Sequence, residues 1–76
     1  MEVELEMPKD IYTNSALAAS IDVYKDYLSI SSFLHGNHHY LKIKTIQSNE
    51  CVDVEVIQSF MNYFLNKSID EFFNEQ

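Results

Sequence analysis

The stretch that decides the fold runs from Tyr27 to Ile46 and reads YLSISSFLHGNHHYLKIKTI. Apolar and polar residues alternate on both sides of a central segment that contains the only glycine of the chain, Gly36. Period-two alternation predicts half-buried β-strands, and the Gly36-Asn37 pair is typical of a turn. We therefore predict a hairpin, with strands over residues 27–33 and 40–46 and a turn within residues 35–39.

Each predicted strand has one apolar face and one mixed face. The mixed face carries large apolar side chains among Lys42 and Lys44, and so many on one small sheet approach a contiguous patch of the kind found at interfaces. The alternative is an amphipathic open face on which tyrosine rings lie over lysine stems. A register shift of one residue would exchange the two faces. The candidate partner-binding residues on this face are Tyr27, Phe33, Tyr40 and Ile46.

The segment before the hairpin predicts one strand and one helix. Residues 2–7 alternate glutamate with apolar side chains, which predicts a half-buried strand that ends at Pro8. Residues 13–15 offer N-capping oxygens, and apolar residues then recur at helical spacing, so we predict a helix over residues 14–26. The three glutamates of the strand are interpreted as a solvated face that also repels self-pairing along that edge.

The segment after the hairpin predicts a long helix. Residues 47–52 form a connector, Asp53 is a plausible N-cap, and residues 54–75 contain neither glycine nor proline. The apolar stripe of this helix has a gap at Ser68. Because the helix is longer than the strands, we expect its last turns to extend beyond the sheet and to leave Phe72 and Phe73 as further candidate contact residues.

These elements follow the order β-α-β-β-α in one domain, residues 1–76. We expect an α+β two-layer sandwich, in which a three-stranded, mainly antiparallel sheet carries two helices on one face. The predicted core contains Leu17, Ile21, Leu28, Ile30, Leu41, Ile43, Phe60 and Phe64.

The charge balance excludes several classes of partner. The chain has twelve acidic residues, five lysines and no arginine, for a net charge of −7. Nucleic acid and anionic membranes are held by clustered lysine and arginine, so neither is expected as a partner. No apolar run is long enough to span a bilayer, and the acidic, alternating start is unlike a secretory signal. With a single cysteine, Cys51, and therefore no intrachain disulfide, we expect a cytoplasmic protein.

Two sets of residues are candidates for chemical sites. His35, His38 and His39 are metal-ligand types, but the loop lacks a nearby carboxylate or thiol, and three exposed hairpin histidines are the preferred interpretation. Cys51 lies between Glu50 and Asp53, which should raise the pKa of its thiol and weaken it as a nucleophile. The acidic pairs on the helices, Asp22 with Asp26 and Asp70 with Glu71, are interpreted as solvated faces. We therefore predict no metal, no cofactor and no catalysis.

The chain resembles the HxsD-like family of small proteins, named for the His-Xaa-Ser system and found beside radical-SAM enzymes that modify ribosomally made peptides. One similar stretch consists of IY at 11–12, ALAA at 16–19 and VYKDYLSI at 23–30, and the other is FMNYFLNKSIDE at 60–71. Family members commonly have an arginine where this chain has Asp70. If that arginine contacts a partner, the partner or the contact geometry of this chain must differ. The resemblance implies a non-catalytic accessory that binds a precursor peptide or the radical-SAM enzyme.

Two functions from different classes follow. The first is this peptide-maturation accessory. The second is an acidic homo-oligomer, a homodimer in the simplest case, or an antitoxin-like module that masks a basic partner. A neighbouring radical-SAM gene with a short precursor gene favours the first function, and a neighbouring gene for a small basic toxin favours the second.

Overall fold

The computed structural model describes residues 1–46 and 50–74, with the backbone alone at residues 50–52, 72 and 74. The elements follow the order strand, helix, strand, strand, helix, which confirms the predicted α+β architecture. They are β1 (Glu2–Pro8), α1 (Asn14–Tyr24), β2 (Leu28–His35), β3 (His38–Thr45) and α2 (Glu50–Asn74).

The three strands form one antiparallel sheet in the order β1-β3-β2, so that β3 is central and the other two strands are edges. His35 pairs with His38, and the hairpin loop therefore consists of Gly36 and Asn37 alone. Gly36 has a φ of 60°, a value that glycine adopts without steric cost. Glycine at the first position of a two-residue loop is typical of a type II′ turn, whose twist matches that of the strands. The single glycine therefore sets the register of the hairpin.

The hairpin strands are longer than predicted at the turn and shorter at the far end. β2 continues to His35 and β3 begins at His38, because the loop is only the Gly36-Asn37 pair. Tyr27 precedes β2, and its N–H donates to the carbonyl of Tyr24 at 3.0 Å, as in a turn. The prediction that a strand begins at Tyr27 is therefore wrong by one residue.

Both helices also differ from prediction at one end. α1 ends at Tyr24 instead of Asp26, and α2 begins at Glu50, inside the predicted connector. Residues 47–49 of that connector, and residue 75 at the predicted end of the last helix, lie outside the described residues. Across residues 1–46 and 50–74, no helix combines the length and the apolar character needed to span a bilayer.

The core lies between the sheet and the two helices. Phe60 and Phe64 of α2 are both 0% exposed. Tyr12 meets Phe64 edge-on with ring centroids 4.9 Å apart, and Tyr24 meets Phe60 in the same way at 5.7 Å. Such edge-to-face pairs stabilise beyond the area that they bury. Of the predicted core, Leu17, Leu28, Leu41, Ile43, Phe60 and Phe64 are buried, Ile21 and Ile30 are half-buried against them, and Met7, Ala16 and Ile57 complete the cluster.

Asp53 lies inside α2, so the prediction that it is an N-cap is wrong. Its side chain is buried, and its carboxylate accepts a hydrogen bond from the Thr45 hydroxyl at 3.1 Å. The ammonium group of Met1 lies 3.6 Å from the same carboxylate and donates to the Thr45 hydroxyl at 3.0 Å. A buried carboxylate needs such partners, because an unpaired charge in the core is costly. Asp53 therefore ties α2 to β3 and to the residue before β1.

A group of hydrogen bonds, here termed the Glu71 clasp, joins the start of α1 to the end of α2. Thr13 caps α1, and its hydroxyl accepts from the Ala16 N–H at 3.2 Å. One carboxylate oxygen of Glu71 accepts from the hydroxyls of Thr13 at 2.5 Å and Ser15 at 2.6 Å. Buried Ser68, predicted as a mere gap in the stripe, accepts from the Thr13 N–H at 3.3 Å. The last turns of α2 are thus anchored on α1 and its preceding loop.

The Glu71 clasp predicts a pH-dependent contribution to stability. Hydrogen bonds from Ser15 and then Thr13 hold the pKa of Glu71 below its usual value of 4.5. A carboxylate with a lowered pKa stabilises the fold fully above its unfolded pKa, and this contribution is lost as pH falls through the folded pKa. We expect Glu71→Gln to be less stable than the parent at pH 7, and the difference to shrink at pH values below about 4.5.

Urea unfolding of both proteins between pH 7 and pH 3 measures this effect. Asp70→Asn is the matched control, because Asp70 is an exposed neighbour on the same helix. Equal stability of Glu71→Gln and the parent at every pH would show that the clasp contributes nothing.

Candidate polypeptide-binding surface

The face of the sheet opposite the helices, here termed the open face, consists of three rows of alternate side chains. In the described part of the chain no helix or strand packs on it, because both helices cover the other face. The register sets the rows side by side, so that each residue of β3 lies between one residue of β1 and one of β2. The rows are Glu2, Glu4 and Glu6 on β1, Lys44, Lys42 and Tyr40 on β3, and Ser29, Ser31 and Phe33 on β2.

An aromatic pair marks one end of the open face. Phe33 and Tyr40 are direct cross-strand partners, and their rings are stacked with centroids 5.1 Å apart and planes 11° apart. Phe33 is 64% exposed although it is one of the largest apolar side chains of the protein. The rings of His35 and His38 lie beside Tyr40, with centroids at 6.2 and 6.5 Å. This group is a preformed aromatic platform on the surface.

A hydrogen bond orients the platform. The Tyr40 hydroxyl donates to Glu6 across the sheet at 3.2 Å. Desolvation, followed by the charge and the hydrogen bond of Glu6, raises the pKa of the Tyr40 phenol above its usual 10.0. The phenol donates this hydrogen bond while its ring lies stacked on Phe33. The Nε2 atom of His38 lies 3.8 Å from the same Glu6 carboxylate.

The charged rows are only partly paired. Lys42 forms an ion pair with Glu2 at 3.1 Å, and this hydrogen bond together with the charges of Glu2 and Glu4 raises the pKa of Lys42. Among the described residues, Lys44 has no carboxylate within ion-pairing distance. Lys44 is exposed, and its neighbour on β2 is the small Ser29. One cation of the open face is therefore accessible from the β2 side.

The two sheet edges differ in chemistry. β1 presents glutamates and ends at Pro8, whereas β2 has no charged residue and no proline between Leu28 and Leu34. Charge and proline are devices that protect an edge strand from pairing with another chain, and β2 lacks both. Beyond Leu28 its side chains are exposed or half-buried.

The predicted patch of Tyr27, Phe33, Tyr40 and Ile46 is split by the structure. The N–H of Ile46 donates to the carbonyl of Tyr27 at 3.1 Å, which places these two residues together at the far end of the hairpin. That end lies about 20 Å from Phe33 along β2 at roughly 3.3 Å per residue. Tyr27 also lines a depression with Tyr24 and with Glu55, Val56 and Ser59 of α2, on the helical side. The alternation of side chains between the two faces of a strand does not apply to Tyr27, because Tyr27 lies in a turn.

The last pair of candidates lies at the other end of α2. Phe73 is 66% exposed and lines a shallow depression with Ile11 and Ile69. The side chain of Phe72 lies outside the described residues. The Glu71 clasp anchors this end of α2 on Thr13 and Ser15, outside the sheet.

The three histidines lie on different sides of the sheet. His39 is 2% exposed, and its Nε2 makes a hydrogen bond with the Tyr12 carbonyl oxygen at 2.8 Å. The interpretation of three exposed hairpin histidines is therefore wrong for His39, which shares the core-facing parity of Leu41. In the described part of the chain, no group of three or more histidine, cysteine, aspartate or glutamate side chains is arranged to hold a metal ion.

We predict that zinc does not bind stoichiometrically to His35, His38 and His39, since the fold directs His39 into the core and away from the other two. Calorimetric zinc titration of the parent and of a His35→Ala/His38→Ala variant measures this. Binding tighter than micromolar in the parent that is lost in the variant would contradict the prediction.

Other candidates for chemistry have simpler structural roles or are not described. The side chain of Cys51 lies outside the described residues. Asp22 is exposed and lies 3.5 Å from Lys25, as a solvated pair would. Glu71, interpreted from sequence as solvated, instead accepts two hydroxyl hydrogen bonds in the clasp.

The Phe33–Tyr40 stack could be predicted from the sequence, whereas the hydrogen bond from Tyr40 to Glu6 that orients it could not. If Gly36 and Asn37 are taken as a two-residue loop, the pairing of Phe33 with Tyr40 follows by counting. The hydrogen bond to Glu6 depends on the order of strands in the sheet, which no local signal specifies.

No family model matches the chain, and comparison with curated proteins and with solved structures found no match.

Proposed function

We propose that this protein is a non-catalytic, cytoplasmic accessory that binds another polypeptide on the open face of its sheet. The observation that carries the proposal is the exposed Phe33–Tyr40 stack, held by Glu6 on a face that no described element covers. A fixed aromatic pair offers contact area at little conformational cost, and tyrosine is enriched at binding hot spots.

The partner that we propose is a precursor peptide, a radical-SAM enzyme that modifies it, or both. The support is the resemblance of residues 11–30 and 60–71 to the HxsD-like family. In the structure these two stretches contain α1, the start of β2 and much of α2, so the resemblance concerns mainly the helical layer. The open face lies outside most of it, which leaves the contact surface of this chain free to differ from that of relatives.

The experiment is a calorimetric titration of this protein with the products of the neighbouring genes, a short precursor peptide and the enzyme. We expect binding to at least one of them, with reduced affinity in variants of the aromatic pair. If neither product binds under conditions in which all components are folded, the proposal fails.

A second function, masking of a basic partner, is favoured by the glutamate row of β1. Two of its three carboxylates already have partners, since Glu2 pairs with Lys42 and Glu6 with Tyr40. Exposed ion pairs contribute only about 0–1 kcal/mol each. The row therefore supports a basic partner less well than the aromatic pair supports a polypeptide contact.

A further inference from the structure

We propose that the partner segment adds to the free edge of β2 as an extended strand, with an acidic side chain toward Lys44 and an aromatic or large apolar side chain against Phe33, four positions apart. This inference rests on the proposed function and specifies the chemistry of the polypeptide that the open face accepts.

The choice of β2 over β1 follows from the two edges. Each edge strand presents unpaired N–H and C=O groups to which an extended segment can add. Addition to β1 would place the new strand beside Glu2, Glu4 and Glu6, and its chain would meet Pro8 at the end. The seven residues from Leu28 to Leu34 carry no charge, so an incoming strand meets no charge repulsion there.

The preference for an acidic side chain follows from Lys44. Among the described residues, Ser29 is the only side chain of the open face between Lys44 and the β2 edge in that row, and it is small. An added strand would lie about 10 Å from β3, two strand spacings away, a distance that a lysine and a glutamate side chain span together. The glutamate row of β1 would lie about 14 Å from the added strand, three strand spacings away. This distance exceeds the screening length of about 8 Å at physiological salt. Lys44 is therefore the charged residue of that row nearest to an added strand, and its cross-strand neighbour Glu2 lies one strand further away.

The spacing follows from strand register. Ser29 pairs with Lys44 and Phe33 with Tyr40, so the two ends of the contact are four residues apart on β2. A regularly paired strand places one residue beside each of these, on the same face. The intervening alternate residues would face the helical side, where Leu34 is 47% exposed and Ile30 is half-buried. The expected segment thus alternates, with apolar residues on the helical side.

The probe is a labelled synthetic peptide, Thr-Tyr-Val-Thr-Val-Glu-Val-Thr, blocked at both ends and written to pair antiparallel with β2. A second peptide has lysine in place of glutamate. In fluorescence anisotropy we expect the glutamate peptide to bind the parent about five-fold more tightly, the upper range for one exposed ion pair. The Lys44→Glu variant should instead prefer the lysine peptide. The control is Lys9→Glu, which changes an exposed lysine of the β1–α1 loop and should keep the preference for the glutamate peptide. Added salt should reduce this preference in the parent. Amide chemical shifts should change along β2 and not along β1.

Each other outcome is decisive. Shifts along β1, or equal or tighter binding of the lysine peptide, would overturn the inference and leave the proposed function standing. The inference alone also fails if neither peptide binds while a neighbouring gene product does. It fails as well if sedimentation shows a dimer and amide shifts along β2 change on dilution, which would place a second copy of the chain on that edge. If neither the peptides nor the gene products bind, both fail.

Discussion

Replacing Phe64 with alanine is expected to lower the free energy of unfolding by about 3–5 kcal/mol, the usual cost of truncating a buried phenylalanine. Phe64 is 0% exposed and meets Tyr12 edge-on, with ring centroids 4.9 Å apart. The ring centroids of Phe64 and Phe60 are 6.0 Å apart. Its loss leaves a cavity in the centre of the core and removes the ring against which Tyr12 packs. Because a small domain is stable by only about 5 kcal/mol or slightly more, the variant should retain about 2 kcal/mol of stability or less.

Urea unfolding followed by far-ultraviolet circular dichroism measures this cost. Phe33→Ala is the matched control, since it removes the same side chain from a site that is 64% exposed, and it should cost about 1 kcal/mol or less. A Phe64→Ala protein as stable as the control would show that the helical layer packs differently from the structure.

Replacing both Phe33 and Tyr40 with alanine is expected to weaken binding of the partner polypeptide by about 30-fold or more, which corresponds to the 2 kcal/mol typical of a hot spot. The double variant removes the stacked rings and the hydrogen bond from Tyr40 to Glu6. Since the pair lies on the exposed face, the variant should remain folded. Calorimetric titration with the polypeptide that binds the parent measures the loss.

Tyr27→Ala provides a comparison within the same set of candidates. Tyr27 is 61% exposed but lies at the far end of the hairpin, on the side of the helices. We expect a smaller loss of affinity for this variant than for the double variant. Unchanged binding by a folded Phe33→Ala/Tyr40→Ala protein would show that the open face is not the contact surface, and an equal loss in Tyr27→Ala would extend the surface to the far end.

The fold followed from the sequence because its signals are local and agree with one another. Alternation in residues 27–46 defined the faces of two strands, and helical spacing defined the faces of both helices, so the buried set was predicted closely. Boundaries were less accurate where one residue decides them. The turn was taken as residues 35–39, and its reduction to Gly36-Asn37 extends both strands.

The candidate site could be predicted only in part, for a physical reason. Strand alternation correctly placed Phe33 and Tyr40 on one face of the sheet. The same alternation gave the wrong position for Tyr27, because the backbone of Tyr27 forms a turn. The contacts that orient the site, such as Tyr40 with Glu6, join residues far apart in the chain, and no periodicity reports them. The same holds for Asp53, whose buried carboxylate is satisfied by Thr45 and by the Met1 ammonium group.

The Glu71 clasp also has a consequence for the order in which the molecule assembles. Thr13 and Glu71 are separated by 58 positions, so their contact closes a loop that contains most of the chain. Closing so large a loop before the hairpin and the core have formed would cost conformational entropy without compensation. We therefore expect the clasp to form late, after the folding transition state. Interactions formed after that barrier slow unfolding while leaving the folding rate almost unchanged, so we expect Glu71 to act mainly on how long the native state persists.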